Sequence, residues 1–260
     1  AEIREAVDFC RYYSKEALNL FQTQILKGPT GELNQYRMVG KGLSFVISPW
    51  NFPVAIFVGQ TVAALITGNV VITKPAEQSS FAAYYIIKLL LKAGLPSNAI
   101  ALLLGDGALI GKKVINDKKL KNVIFTGSLE TAKIIQSNLQ QKENIPTFIA
   151  ETGGQNCMIV DTSALTEHVV KDVVNSGFDS AGQRCSACRI LCVEENVYEH
   201  TKHTLIGAMK TQKVGNPEEL STDIGPVIDT EAYENINNHI KNFIKFFYMI
   251  IDIFIRFGVN

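Results

Sequence analysis

The chain has 260 residues, 47% of them hydrophobic and 19% charged, and its 25 basic side chains balance its 25 acidic ones. That length supports one large domain or two small ones with a substantial core, and the neutral balance without a basic stripe argues against a nucleic-acid partner. Five cysteines, an odd number, with no charged-then-apolar leader, argue against a disulfide scaffold and for a reducing cytoplasm. The first residue is Ala1, so the start reads as processed or as cut from something longer.

In chain order, residues 3–27 read as a helix that stops at Gly28-Pro29, and residues 34–39 as a short strand. From Gly42 the pattern changes. Apolar runs of strand length at 43–47, 70–73, 100–104 and 123–125 alternate with helical stretches at 54–66, 79–93, 108–115 and 130–140. Continuous apolar strands separated by helices predict a parallel sheet covered on both faces. Gly68 and Gly94 end helices, the latter followed by Pro96. A second segment follows, with strands at 147–150, 158–160 and 190–193 and helices near 164–180 and 197–211. The expected organisation is an α/β fold: residues 1–150 as a dinucleotide-binding domain, residues 151–242 as part of a second α/β domain, and residues 243–260 as a tail foreign to the fold. In residues 240–257 Phe and Ile fill 11 of 18 positions. The run is shorter than the roughly 20 apolar residues a membrane span needs, and Lys245, Asp252 and Arg256 interrupt it.

Five stretches carry candidate chemistry. Cys185, in Ser180-Ala181-Gly182-Gln183-Arg184-Cys185-Ser186-Ala187, lies beside an Arg whose charge favours thiolate, although a single cysteine is more often a small core residue. Cys185 and Cys188 form C-x-x-C, but no second ligand pair has zinc spacing, so no metal is expected. Glu151, in Glu151-Thr152-Gly153-Gly154-Gln155-Asn156, follows what reads as a buried strand, a poor place for a carboxylate without a task. Ser48-Pro49-Trp50-Asn51-Phe52-Pro53 offers the Asn51 amide as a donor between a strand and a helix, or an ordinary turn Asn. Thr73-Lys74-Pro75-Ala76-Glu77-Gln78 and Phe125-Thr126-Gly127-Ser128 also lie at strand-to-helix junctions, where parallel sheets bind phosphates.

Each stretch is a weak or moderate signal, but their combination and order are specific. PWNFP, KPAEQS, FTGS, ETGGQN and GQRCSA, with Glu151 and Cys185 34 positions apart, resemble the aldehyde dehydrogenase superfamily over residues 1 to about 240. AETGGQNCMIVDTSA, SGFDSAGQRCSACRI and the opening EIREAVDFCRYYSKEA resemble most the pyrroline-5-carboxylate (glutamate semialdehyde) dehydrogenase domain of bifunctional PutA proteins, here as a truncated fragment.

The resemblance implies roles. Cys185 corresponds to the nucleophile and Glu151 to the general base that activates water. The Asn51 amide and the Cys185 backbone N–H correspond to the oxyanion donors. Lys74 and Glu77 correspond to the adenosine-ribose pair of NAD, with Gly127 and Ser128 at the pyrophosphate loop and Trp50 beside it. Glu77 is expected to repel a 2′-phosphate and so to favour NAD over NADP. The expected partner is a small-molecule aldehyde, L-glutamate γ-semialdehyde, without nucleic acid, metal or membrane; family members oligomerise.

The sequence also departs from the family. The later E-x-F-G-P motif and the Gly-rich loop that anchors the substrate carboxylate are absent, and Cys188 stands where Leu is expected. A non-catalytic remnant therefore stands as the alternative to an active dehydrogenase. Cys185 is expected to alkylate ahead of Cys157 and Cys192, because Cys157 reads as buried strand.

Overall fold

The computed structural model describes the backbone of residues 1–256 and the side chains of residues 1–243. The chain divides into two units, Ala1–Gly153 and Gly154–Asn260.

The first unit opens with helix α1 (Glu2–Leu20), whose first turn carries Glu2 and Glu5, favourable at the positive end of a helix. The helix stops short of the expected residue 27. Gln24–Leu26 (β1) pairs antiparallel with Asn34–Tyr36 (β2) instead. The reason is the Gly28-Pro29-Thr30-Gly31 stretch: Gly31 takes φ +95°, so these residues turn a hairpin rather than merely end a helix.

The centre of this unit is a five-stranded parallel sheet of β3 (Leu43–Ser48), β4 (Val70–Pro75), β5 (Ile100–Leu102), β6 (Leu120–Gly127) and β7 (Thr147–Thr152), in the order β5-β4-β3-β6-β7. Helices α2 (Ala55–Ile66), α3 (Ser80–Lys92), α4 (Gly107–Ile115) and α5 (Leu129–Gln140) connect the strands. Side chains of neighbouring strand residues point to opposite faces. On β3, Val46 enters a core with Phe57 and Val58 of α2, Val71 of β4 and Ile87 of α3. Its neighbour Phe45 enters the opposite core with Ile115 of α4, Val123 and Phe125 of β6, and Ile135 and Leu139 of α5. Two cores with one sheet between them explain why β3 is almost wholly buried and reads as an unbroken apolar run. Fully burying a Phe or Val contributes roughly 1.5–3 kcal/mol each.

Packing between α1 and α2 is close: a Cβ on Gly59 would lie 2.9 Å from the Phe9 ring, so glycine lets the helices approach. The expected second segment began at residue 147, but β7 pairs parallel with β6 from Asn122↔Thr147 to Gly127↔Thr152 and completes the first sheet. β7 is mostly exposed, and Ile149 is half exposed, so the buried strand expected before Glu151 is an open edge. Gly153 and Gly154 do not take positive φ.

In the second unit, β8 (Asn156–Val160) pairs parallel with β9 (Cys188–Val193). Helices α6 (Thr166–Phe178) and α7 (Glu195–Thr211) pack on each other and on β9. Val170, Val173 and Val174 of α6 are buried with Val160 and Ala187. Cys157, expected to be buried, is exposed, because the β8 face carrying Cys157 and Ile159 is open. Helix α8 spans Thr230–Arg256 and runs without a break across residue 243. The expectation that residues 243–260 do not pack as a native element rests on side chains that, after Phe243, lie outside the described residues.

Candidate active site

The first unit brings seven of the eight candidate residues to one edge of its sheet. Ser48 is paired in register with Pro75, and Thr126 and Gly127 with Glu151 and Thr152. The loop with Trp50 and Asn51 leaves β3, Lys74 lies next to the end of β4 with Glu77 following the strand, Gly127 ends β6 before Ser128, and Glu151 lies near the end of β7. These are the carboxyl ends of parallel strands. The strand order reverses between β3 and β6, the switch point at which open α/β sheets bind ligands.

Lys74 is 3% exposed, a burial that a cation tolerates only with partners. Its Nζ donates to the Pro75 carbonyl at 3.0 Å and to Glu77 Oε1 at 3.1 Å. Glu77 Oε1 also accepts from the backbone N–H of Gly107, the first residue of α4, at 2.8 Å. Burial pushes the Glu77 carboxyl up, but backbone amide donors and the Lys74 ammonium outweigh it and hold the carboxyl below its ordinary value. A Cβ on Gly107 would lie 3.5 Å from both Glu77 Oε1 and Lys74 Nζ, so glycine keeps the space over this pair open.

Ser128 caps α5, its Oγ accepting from the Thr131 N–H at 3.1 Å. At Gly127 a Cβ would meet the Phe125 ring at 2.6 Å, so this end of β6 is packed too tightly for a side chain. Gln60 Nε2 donates to Thr126 Oγ1 at 2.6 Å, tying α2 to the same edge. Trp50 and Asn51 are half-buried, whereas Glu151 is exposed. The sequence reading missed Glu2, whose Oε2 accepts from the backbone N–H groups of Val54 and Ala55 at the start of α2. Its signal was present, since Val54 offers no side-chain cap and some other acceptor must serve those amides.

Cys185 belongs to the second unit, exposed on the loop between α6 and β9. That loop begins with three left-handed residues: Ser180 and Ala181 at φ 55° and Gly182 at φ 68°. Non-glycine residues reach this region at about 1–2 kcal/mol each, so the surroundings must hold them there. Ser180 N–H donates to Asp179 Oδ1 at 2.8 Å, and the Asp179 carboxylate pairs with Arg184. The Gln183 side chain accepts from Ile228 N–H at 2.8 Å. Asn156 Nδ2 donates to the carbonyls of Cys185 at 2.7 Å and Ala187 at 3.0 Å. Arg189 Nη2 donates to the carbonyls of Gly182 at 2.7 Å and Arg184 at 3.3 Å.

Among the described residues, no three or more His, Cys, Asp or Glu side chains cluster as a metal site, and no helix is long and apolar enough to cross a membrane.

Residues 1–246 match the model of the aldehyde dehydrogenase family. The chain is 49% identical over 245 residues to the bifunctional protein PutA of Klebsiella aerogenes, covering 93% of this chain and 18% of that protein. It is 38% identical over 249 residues to the 1-pyrroline-5-carboxylate dehydrogenase of Anoxybacillus flavithermus, covering 93% of this chain and 48% of that enzyme. Among solved structures, a Bradyrhizobium japonicum proline utilization A mutant superposes with TM-score 0.90 at 47% identity, over 93% of this chain and 25% of that one. An apo betaine aldehyde dehydrogenase of Staphylococcus aureus superposes with TM-score 0.86 at 28% identity, over 93% and 48%. The chain thus spans about a fifth of the PutA proteins and about half of the 1-pyrroline-5-carboxylate dehydrogenases it matches. By its family match, its motifs and its fold, the chain belongs to the aldehyde dehydrogenase family.

Proposed function

We propose that this chain carries the cofactor-binding and nucleophile-bearing part of an NAD-dependent L-glutamate γ-semialdehyde dehydrogenase of proline catabolism. Residues 1–150 serve as the NAD-binding domain and residues 151–242 as part of the catalytic domain. The observation that carries the reading is the convergence of Trp50, Asn51, Lys74, Glu77, Gly127, Ser128 and Glu151 on one sheet edge at its switch point, within a chain 49% identical to a PutA protein.

The residues fit a dinucleotide. Glu77 and Lys74 offer an acceptor and a donor side by side, under a glycine that leaves room for a sugar. Lys74 and Glu77 would hold the adenosine ribose hydroxyls, and the Glu77 carboxylate would repel a 2′-phosphate, favouring NAD over NADP. Gly127 and Ser128, at the start of α5, would meet the pyrophosphate, with Trp50 beside it. When bound, NAD accepts the hydride given up by the substrate carbon.

The chain's own residues do the rest. The Cys185 thiolate attacks the aldehyde carbon to form a C–S bond, and the carbonyl oxygen becomes an oxyanion. The Asn51 amide and the Cys185 N–H donate to that oxyanion; each such donor lowers the barrier by roughly 3–4 kcal/mol. Loss of hydride leaves a thioester on Cys185. Glu151 takes a proton from water, the hydroxide adds to the thioester carbon, and the C–S bond breaks to release glutamate.

Trp50 is the only tryptophan in the chain, so its emission reports on the cofactor edge. NAD should change that emission, and Lys74→Ala should weaken the titration by about tenfold or more, as expected for losing a charged hydrogen bond. An emission that NAD leaves unchanged overturns the cofactor half of the reading. Glutamate semialdehyde should protect Cys185 from iodoacetamide, and any NADH formed should vanish in Cys185→Ala. NADH formation that survives that substitution overturns the nucleophile half.

A further inference from the structure

We propose that Arg189 and Asn156 are positioning residues that aim the Cys185 backbone N–H by pinning the carbonyls of its loop. The inference rests on the reading of Cys185 as the nucleophile. In a trans peptide the C=O and the following N–H point in opposite directions. The Cys185 N–H shares its peptide with the Arg184 carbonyl, so whatever holds that carbonyl sets the direction of the amide. Two donors hold it: Ala187 N–H at 3.2 Å and Arg189 Nη2 at 3.3 Å. The same Nη2 donates to the Gly182 carbonyl at 2.7 Å, so a single guanidinium nitrogen bridges the residues on either side of Gln183.

Asn156 does the equivalent for the next part of the loop, donating to the Cys185 carbonyl at 2.7 Å and the Ala187 carbonyl at 3.0 Å. Two side chains from the β8–β9 pair thus fix four carbonyls between residues 182 and 187. Asn156 starts β8 opposite Cys188, and Arg189 follows Cys188 on β9 at the irregularity where the pairing shifts register before Cys157 meets Ile190, so both donors stand on the paired strands rather than on the loop they serve. An oxyanion donor stabilises only if it is held in place before charge develops, and a mobile loop peptide is not. The costly left-handed backbone at Ser180 and Ala181 makes such external restraint necessary, because an unrestrained loop would relax out of it. Arg suits the task because its planar fork fixes donor directions that the single ammonium of Lys does not.

The experiment compares two reactions of the same thiol in the full chain, read by mass spectrometry at Cys185. With p-nitrophenyl acetate, the thiolate adds to the ester carbonyl, an oxyanion forms, and the C–O bond breaks to release p-nitrophenolate and leave an acetyl thioester. With iodoacetamide, the thiolate displaces iodide and no oxyanion forms. Arg189→Lys and Asn156→Ala should slow Cys185 acylation by about tenfold or more, toward the loss seen when an oxyanion donor is removed, while leaving alkylation at the wild-type rate. A parallel fall in both rates assigns the two residues a purely structural role and overturns the proposal. Wild-type acylation in both variants overturns it too, with the nucleophile reading intact if Cys185→Ala still abolishes the p-nitrophenolate burst. A burst that persists in Cys185→Ala overturns the nucleophile reading itself. A wild-type chain that alkylates but does not acylate at Cys185 overturns the aimed donor alone.

Discussion

Glu2, at the start of α1, accepts a hydrogen bond from the backbone N–H of Val54 at 2.9 Å, across 52 positions of sequence. The same Oε2 accepts from Ala55 N–H at 3.0 Å, so one carboxylate satisfies two of the orphan amides that open α2. A negative charge at a helix N-terminus is also favoured by the helix dipole. The capped residues directly follow the Trp50-Asn51-Phe52-Pro53 loop, so α1 anchors the loop that offers the proposed oxyanion donor.

Glu2→Ala should therefore lower stability by about 1–2 kcal/mol, the cost of a lost cap plus its charge. Glu2→Gln keeps an acceptor without the charge and should cost less. Urea unfolding measures the stability, and Trp50 emission in the folded state should change in Glu2→Ala because the loop loses its anchor. An unfolding midpoint in Glu2→Ala equal to wild type would rule out the cap.

The sheet was legible in the sequence because its central strands are buried on both faces. The runs around Phe45, Val71 and Val123 are apolar without alternation, and the helices between them carry their glycine stops. The edge strand β7 was harder to place. It is exposed, and nothing local distinguishes a fifth strand of one sheet from the first strand of the next; only its pairing with β6 does. Glu151 was assigned a buried approach on the same mistaken ground. Lys74, Glu77 and Ser128 were visible because junction residues sit at fixed offsets from strand ends. Glu2, Asn156 and Arg189 were not, because each acts on backbone groups 5 to 53 positions away, a relation that no local pattern records.

The Lys74–Glu77 pair makes stability depend on pH. The folded-state carboxyl of Glu77 lies below its ordinary value, so the unfolded chain takes up the proton first as pH falls. The contribution of Glu77 is full above the ordinary carboxylate range, near pH 4.3 for Glu, and disappears as pH drops through the folded value. The stability gap between wild type and Glu77→Gln should therefore be widest at neutral pH and close below about pH 4. A gap that stays constant down the acid limb would show that the pair is not coupled to folding. In a full-length relative, the matching substitution should also narrow the preference for NAD over NADP, as read by calorimetry.

Thiol labelling should separate Cys10 from the exposed cysteines. Burial pushes the Cys10 thiol up, against a weaker opposing backbone hydrogen bond, and its side chain packs against the core shared by α1 and α2. Cys157, Cys185 and Cys192 are all exposed, so exposure alone does not set Cys185 ahead of the other two. The charge of Arg184 is already engaged by Asp179. Iodoacetamide should label these three before Cys10, and urea should remove the difference. Early labelling of Cys10 in the folded chain would place it outside the core.

Gly40 should not accept a side chain. A Cβ there would lie 2.3 Å from the Gly68 carbonyl oxygen and 3.0 Å from that of Thr67, and both are backbone atoms that cannot rotate away. Gly68 is itself held at φ +79° where α2 ends, so the obstructing carbonyl is fixed by the helix stop. Gly40→Ala should cost about 1–3 kcal/mol through overpacking, measured as a lower urea midpoint. A midpoint equal to wild type would mean the two loops separate freely.

The loop before Cys185 yields a pair of predictions of opposite sign. Ala181 sits at φ 55°, where a side chain costs about 1–2 kcal/mol relative to glycine. Replacing it with glycine also gives the unfolded chain more freedom, which costs about 0.4–1 kcal/mol. The first effect is the larger, so Ala181→Gly should raise stability by up to about 1.5 kcal/mol. Its neighbour Gly182 sits at φ 68°, and a Cβ there would lie 2.9 Å from the Gly177 carbonyl. Gly182→Ala suffers both the left-handed backbone and that contact, so it should destabilise by about 1–3 kcal/mol. The comparison is made by urea unfolding of the three proteins. If Ala181→Gly is less stable than wild type while Gly182→Ala is neutral, residues 180–182 do not hold the left-handed turn in solution. The restraint attributed to Asn156 and Arg189 would then lose the strained backbone that makes it necessary.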